Sequence, residues 1–234
     1  MRLLARQGLA EFLGSAGLVA VVIGSGIAAQ RLSPHDVGLQ LLENALATGA
    51  GLAALILAFG PVSGGHFNPV ITLADRFFRG VTNRQVAVFL PAQILGGIAG
   101  AVVANLMFDL PAVAISGKDR SGAGLWLSEA VATFGLVVLV FALVRASRVA
   151  LAPFAVGAYI TAAYWWSSST SFANPMIDLA RTLSDTFAGI APSSVPMFVL
   201  MQLLGGAAGV AAVSVLYPGV AGVAEDVVVP SEAA

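Results

Sequence analysis

Two Asn-Pro dipeptides, Asn68-Pro69 and Asn174-Pro175, interrupt sequence that is otherwise apolar enough to lie in a membrane. Asn is a strong helix N-cap and Pro is favoured at the first helical position, so each dipeptide predicts a loop that ends and a helix that begins. A helix that begins inside a membrane-grade segment is unusual, and here the signal occurs twice. The fold must therefore accommodate two short helices that start within the apolar layer.

The composition requires an apolar environment. The chain is 58% hydrophobic and 10% charged, whereas a soluble domain carries about 25% charged residues. We therefore expect an all-α membrane protein whose main partner is the lipid bilayer. The net charge of −1 and the lack of a long basic run argue against a nucleic-acid partner. The sequence contains no cysteine, so disulfides and thiolate metal sites are excluded, and we expect neither a metal site nor a cofactor.

Six apolar stretches approach the length of about 20 residues that a spanning helix needs. They cover roughly residues 8–30, 38–60, 84–108, 123–144, 149–166 and 194–217. Two shorter stretches, roughly 68–77 and 174–184, follow the Asn-Pro dipeptides and predict half-length helices. We expect Gly60-Pro61 and Gly64-Gly65 to break the long uncharged run that precedes the first of them. Glu11 interrupts the first apolar stretch, so we interpret this stretch as a membrane helix rather than as a signal peptide.

Three features occur in the same order in both halves of the chain. A Glu within an apolar stretch (Glu11, Glu129) comes first, and the Asn-Pro dipeptide comes second. A Gln-x-x-Gly-Gly-x-x-Gly pattern that begins at Gln93 or Gln202 comes third. The pattern predicts one domain over residues 1–217, built from repeats at about 8–108 and 123–217 and followed by a short disordered acidic tail at 218–234. Since each repeat has three spans, the second must be inverted relative to the first, an arrangement that points to a site at the membrane midplane.

A physical consequence follows for the segments before the two half-helices, Gly60 to Phe67 and Ser167 to Ala173. Irregular backbone at membrane depth is tolerated only where it lines a cavity or is buried in protein. The two half-helix N-termini would meet near the midplane and place about half a positive charge each there, which is a barrier to cations and protons. Backbone carbonyls on one wall and apolar side chains on the other suit small, neutral, hydrogen-bonding molecules.

The distribution of Lys and Arg indicates the orientation. If the N-terminus is cytoplasmic, that side holds seven of the 11 basic residues and the other side holds four. The positive-inside rule then favours both termini in the cytoplasm, and we expect the protein to lie in the cell membrane (inner or plasma membrane).

The two Asn-Pro segments also carry a family resemblance. Ser63-Gly-Gly-His-Phe-Asn68-Pro69 and Phe172-Ala-Asn174-Pro175 resemble the two signature loops of the aquaporin/aquaglyceroporin (major intrinsic protein) family. The resemblance covers about residues 8–217. It implies a passive channel of six tilted helices and two re-entrant half-helices, assembled as a homotetramer with one pore per subunit. It also implies that Gly64, Gly65 and His66 lie along the pore.

The chain departs from the family pattern after each signature Pro, where Val70 and Met176 replace the usual Ala. These larger side chains should either change the packing where the half-helices abut or narrow the central constriction.

The resemblance also carries over the positions of the family's selectivity filter. They are Thr48 in the second span, Ala162 or Ala163 in the fifth, Ser171 or Phe172 in the loop, and Ile177. Ile177 replaces the family's hallmark Arg, so we expect a wide, rather apolar filter without a fixed cation. Such a filter favours larger uncharged solutes over strict water selectivity. Because the second loop resembles bacterial members associated with arsenic resistance, the expected solutes are glycerol-like polyols, arsenous acid and related neutral metalloids, with some water.

Several polar residues have both a functional and a structural interpretation. Asn68 and Asn174 are expected to cap the half-helices and face the pore, and His66 to line it. Glu11 and Glu129 are expected to accept hydrogen bonds from the re-entrant backbone, with Gln93 and Gln202 as further structural residues. The paired glycines are expected to be close-packing positions. Arg181 has two interpretations: a displaced charge in the pore or, as we favour, a partner of Asp178 or Asp185.

The sequence leaves other functions open. A water-selective channel is the main alternative. An ion-coupled transporter would use Glu11 or Glu129 as the coupling site, and a scaffold of the same fold would conduct little. No nucleophile–base pair or phosphate-binding loop occurs, so no catalytic residue is proposed and an enzyme is not expected.

Overall fold

The computed structural model describes residues 3–219. These residues form eight α-helices, namely α1 (Leu3–Leu32), α2 (Val37–Ser63), α3 (Pro69–Phe77), α4 (Asn83–Met107), α5 (Ala123–Arg145), α6 (Ala152–Trp166), α7 (Pro175–Arg181) and α8 (Val195–Leu216). All but α3 and α7 belong to segments that are long and apolar enough to cross a membrane. The prediction of six spans and two half-helices is therefore confirmed. Of the expected disordered tail, residues 220–234 lie outside the described part.

The two repeats pack in the same way. In the first, α4 lies so close to α1 that a methyl group on Gly96 or Gly100 would collide with the carbonyl oxygens of Phe12 and Ala16. In the second, α8 approaches α5 just as closely, and a methyl group on Gly205 would collide with the Ala130 carbonyl. Small residues let the backbones of membrane helices approach in this way.

Two faces of the bundle are distinguished by their contacts. On the near side, where α1 begins, Gln7 accepts a hydrogen bond from Gln85 at the start of α4 (3.4 Å). On the far side, where α1 ends, Gln30 accepts one from the backbone N–H of Phe187, in the loop between α7 and α8 (3.2 Å). The half-helix α3 therefore runs from the midplane to the near side, and α7 runs from the midplane to the far side.

The structure corrects two predicted boundaries. Gly60-Pro61 does not end α2, which continues to Ser63 because a proline in the last turn removes only one helical hydrogen bond. The helix ends instead at Gly64, which has a left-handed φ of 93° and donates its N–H to the Gly60 carbonyl.

The second half-helix, α7, stops at Arg181 rather than at residue 184. Beyond that point the chain runs beside the loop between α4 and α5. Ser116 and Ala114 donate backbone hydrogen bonds to the carbonyls of Thr182 and Leu183, which replace helical partners.

Candidate functional site

The segment between α2 and α3 is held by one buried carboxylate. Glu11 of α1 is fully buried and accepts hydrogen bonds from the backbone N–H groups of His66 and Phe67 at 3.0 and 2.8 Å. It also accepts from the Ser63 hydroxyl and from the Gln93 amide at 2.6 and 2.7 Å. Hydrogen bonds to a charged acceptor contribute about 1.5–3 kcal/mol each, so Glu11 fixes backbone that has no helical partners.

The segment between α6 and α7 is held in the same way by Glu129 of α5. Its two oxygens accept from the N–H groups of Phe172 and Ala173 at 2.9 and 2.8 Å. Gln202 donates to Glu129 at 2.6 Å and also to Asp178, just as Gln93 donates to Glu11 and to Thr72. The Glu, Asn-Pro and Gln-Gly-Gly order that occurs in both halves of the sequence therefore corresponds to the same anchoring contacts in each half.

The two signature Asn residues join the half-helices at the midplane. Each caps its own helix, because Asn68 accepts from Val70 N–H and Asn174 accepts from Met176 N–H. Each amide also crosses to the other loop: Asn68 donates to the Ala173 carbonyl and Asn174 to the Phe67 carbonyl, both at 2.8 Å. Among residues 3–219, the second N–H of each amide has no acceptor, and both Asn residues line a cavity.

Val70 and Met176 occupy glycine notches on the opposite repeat. A methyl group on Gly206 of α8 would collide with Val70, and one on Gly97 of α4 would collide with Met176. Both side chains are buried, and neither lines the cavity. Of the two effects considered for these residues, the structure therefore supports altered packing rather than a narrower constriction.

A cavity of about 70 Å³ passes between the half-helices and the surrounding bundle. At about 10–15 Å³ of such volume for each water, it has room for roughly five waters. One wall is formed by aliphatic side chains of the spanning helices, including Leu18, Leu52, Leu136 and Val156.

The other wall is formed by the two re-entrant loops. It includes Gly65 to Asn68 and Ser171 to Asn174. Among residues 3–219, the carbonyls of Gly65, His66, Ser171 and Phe172 accept no hydrogen bond. A buried carbonyl without a partner is costly, so this wall offers acceptors to whatever occupies the cavity.

The expected filter positions are only partly brought together. Thr48, Ser171, Phe172 and Ile177 line the cavity.

Neither candidate in α6 belongs to the lining: Ala163 is fully buried by its neighbours and Ala162 is exposed on the outside of the bundle. Tyr164 lines the cavity instead, and its hydroxyl lies 3.2 Å from that of Thr48. The prediction of a small residue at this filter position is therefore wrong, because α6 turns the face that carries Tyr164, one residue beyond Ala163, toward the cavity.

Arg181 also lines the cavity, and it is 2% exposed. The favoured interpretation, a pair with Asp178 or Asp185, is wrong, since neither carboxylate lies within ion-pair distance of Arg181 in the described residues. Its guanidinium carbon instead lies 3.5 Å from the centroid of the Phe172 ring, and its Nε donates to the Ala188 carbonyl. The expected absence of a fixed cation does not hold for this part of the cavity.

His66 lines the cavity from the first loop but is strongly tethered. Its Nε2 lies 3.3 Å from Asp75 and its Nδ1 lies 3.0 Å from the Thr72 hydroxyl.

Sequence reasoning missed Tyr164 and undervalued Arg181. Tyr164 was hidden in an aromatic run typical of a membrane interface. Arg181 could have been found from the repeat, because it follows Asn174 by seven residues, as Asp75 follows Asn68.

Comparison with known proteins agrees with this geometry. Residues 2–184 match the family model described as major intrinsic protein. The chain is 50% identical over 202 residues to the aquaglyceroporin AqpS of Rhizobium meliloti, an alignment that covers 86% of each chain. It is 33% identical over 183 residues to aquaglyceroporin-2 of Rhizophagus irregularis, covering 67% of this chain and 57% of that one.

Among solved structures, the aquaglyceroporin of Plasmodium falciparum superposes with a TM-score of 0.72. At 18% identity, the match covers 93% of this chain and 98% of that one, and it supports the fold alone.

Proposed function

The chain belongs to the major intrinsic protein family and is a multi-pass membrane channel for small neutral solutes such as glycerol; we propose that it conducts them passively and that its solutes include arsenous acid. Arsenous acid is uncharged at neutral pH and presents hydroxyl groups as a small polyol does. Proteins of this family are channels and not enzymes, so the site is interpreted as a pathway.

One observation carries the proposal: the cavity has an aliphatic wall and a wall whose carbonyls accept no hydrogen bond from the described part of the chain. A polyol has a hydrocarbon edge and a hydroxyl edge, and it can satisfy both walls while it loses its hydration water. An ion would exchange a full hydration shell for one row of carbonyls, beside two half-helix N-termini that repel cations. The arrangement therefore favours neutral hydroxylated solutes.

Ion coupling receives no support from the site. The two intramembrane carboxylates that might couple to protons, Glu11 and Glu129, do not line the cavity in the described residues. Their oxygens are occupied by backbone and glutamine donors.

A solute panel in sealed proteoliposomes tests the proposal. We expect stopped-flow measurements to show downhill flux of glycerol and arsenite, with smaller water flux, that does not depend on an imposed proton or sodium gradient. Leu136→Trp, which fills the cavity, should abolish flux. Leu127→Trp, on the exposed face of the same helix, should leave flux unchanged. Saturable uptake that requires an ion gradient would overturn the channel proposal.

We also propose that the protein is a homotetramer in the cell membrane, with both termini in the cytoplasm. Because the chain contains no cysteine, Arg84→Cys on the near side and Gly117→Cys on the far side are unique labels. An impermeant maleimide added to whole cells should react only with the second.

A further inference from the structure

Each half-helix carries a buried charged residue seven positions after its capping Asn. Asp75 follows Asn68 by seven residues and Arg181 follows Asn174 by seven, and they are 1% and 2% exposed. Their surroundings differ. Asp75 lies beside His66 and does not line the cavity, whereas Arg181 does line it. Asp75, which is paired with His66, therefore lies behind the near end of the cavity, whereas the guanidinium of Arg181 lies within its far end.

No carboxylate of residues 3–219 lies within ion-pair distance of Arg181. Asp178 accepts from Gln202, and Asp185 accepts from Ser116 and the Gly117 N–H. A guanidinium has five N–H donors, and in residues 3–219 only that on Nε of Arg181 has a hydrogen-bond acceptor. Stacking on Phe172 orients the group by a cation–π contact but consumes no donor. The remaining donors are available to a molecule in the cavity.

The far-side mouth contains two further basic side chains. Lys118, Arg181 and Arg120 donate to the three successive carbonyls of Phe187, Ala188 and Gly189. The nearby Asp119 is turned toward Ser121 and Ser194 and pairs with none of these cations among the described residues.

Carbonyl dipoles hold the three cations in place but do not cancel their charge. The pKa of Lys118, which lies in the loop outside the spans, reflects this: burial and the positive charges of Arg120 and Arg181 lower it to about 8.

The cavity wall near Arg181 supplies hydroxyl groups. Tyr164 and Thr48 both line the cavity with their oxygens 3.2 Å apart, and Ile177 lies one helical turn from Arg181 toward the midplane. We propose that Arg181, Tyr164 and Thr48 form the solute-selecting constriction, one turn farther out than Ile177. Arg181 donates to the hydroxyl oxygens of neutral polyols, and its charge excludes cations. This inference rests on the proposed channel function and names the group that sets its selectivity.

The test measures cation permeability of reconstituted channels. The wild-type protein should pass glycerol and exclude methylammonium. A cation must pass two barriers in series, the charge of Arg181 and the N-termini of the half-helices. Arg181→Leu removes the first and should therefore raise methylammonium permeability about tenfold, although the second remains. Arg181→Lys keeps a charge at the site and should still exclude the cation.

Arg120→Leu is the matched control. Arg120 also stacks on Phe172, at 5.1 Å, and binds the same loop, but it does not line the cavity. Its loss removes the same charge from the same mouth and should leave cation exclusion at the wild-type level. Arg181→Gln retains a donor for the Ala188 carbonyl and carries the same test if the Leu variant does not fold.

The outcomes separate the two proposals. Methylammonium permeability of Arg181→Leu (or Arg181→Gln) that equals that of Arg120→Leu would overturn the role of Arg181, provided that glycerol flux is present. A wild-type protein that passes no neutral solute would instead overturn the channel function.

Discussion

The loops before α3 and α7 share one backbone and differ in their side chains. At matched positions, four, three and one residues before the capping Asn, both loops adopt left-handed φ angles. The paired values are 93° and 64° for Gly64 and Thr170, 65° and 50° for Gly65 and Ser171, and 46° and 47° for Phe67 and Ala173. Glycine adopts this region freely, whereas other residues are strained in it. The second loop reaches the same geometry without glycine.

This difference indicates that the carboxylate anchors, rather than the glycines, determine the loop geometry. Each loop is bound by a Glu from the first helix of its own repeat, α1 or α5, and each capping Asn side chain donates to the opposite loop. With the backbone fixed, the side chain two residues before each Asn has diverged. His66 meets a carboxylate at the near side, and Phe172 meets a guanidinium at the far side.

Removing the anchors should have the largest effect. Glu11→Gln leaves backbone N–H groups facing an amide, and we expect it to destabilise the protein by about 3–5 kcal/mol. Glu129→Gln should cost less, because Glu129 accepts from three groups and Glu11 from four.

Thermal unfolding of detergent-solubilised protein measures both losses. Glu43→Gln, which loses only a contact with Ser33, serves as the control. A greater loss in Glu129→Gln than in Glu11→Gln would mean that glycine, not the anchor, dominates the first loop.

Substitutions at the contacts between the two repeats should have the next largest effect on stability. Gly206→Ala forces a methyl group against β-branched Val70, and Gly97→Ala forces one against flexible Met176. Overpacking costs about 1–3 kcal/mol, and the stiffer Val70 should place Gly206→Ala at the upper end and Gly97→Ala at the lower end.

Double variants test whether these notches explain the departures from the usual Ala. Val70→Ala should rescue Gly206→Ala, and Met176→Ala should rescue Gly97→Ala, when unfolding temperatures are compared. Simple additivity in both cycles would show that the notches and the larger side chains are not coupled.

The architecture followed from the sequence because its signals are local or repeated. Helix caps, apolar length and the ordered Glu, Asn-Pro and Gln-Gly-Gly features predicted the spans, the half-helices and the inverted repeat. The position of Tyr164 did not follow, because a filter position in α6 is counted back from Asn174 across an irregular loop, and an error of one or two residues in that count selects a different face of α6. The surroundings of Arg181 were missed because its guanidinium contacts the Ala188 carbonyl and the Phe172 ring rather than an Asp that is near in sequence.

An added charge on each half-helix distinguishes the two ends of the cavity. Ile71 and Ile177 both follow their capping Asn by three residues and both line the cavity. Arg introduced by Ile71→Arg can pair with Asp75 one turn away, whereas Arg introduced by Ile177→Arg is repelled by Arg181 and should remain in the cavity.

We therefore expect Ile177→Arg to reduce glycerol and arsenite permeability about tenfold while sparing water, and Ile71→Arg to have a smaller effect. Stopped-flow permeabilities normalised to reconstituted protein measure this. Unchanged solute flux in a well-folded Ile177→Arg channel would mean that Ile177 does not face the solute.

The smallest effects concern backbone strain, and they test the comparison most directly. Gly64→Ala places a β-carbon at φ 93°, and Thr170→Gly removes a β-branched side chain at φ 64°. The first should destabilise the protein by about 1–2 kcal/mol. The second should relieve strain but add freedom to the unfolded chain, so a net stabilisation of less than about 1 kcal/mol is expected. Opposite shifts in unfolding temperature would confirm that the second loop keeps its shape against strain. If Thr170→Gly instead lowers stability as much as Gly64→Ala, the Thr170 side chain itself supports the loop, and the carboxylate anchor is not sufficient to hold it.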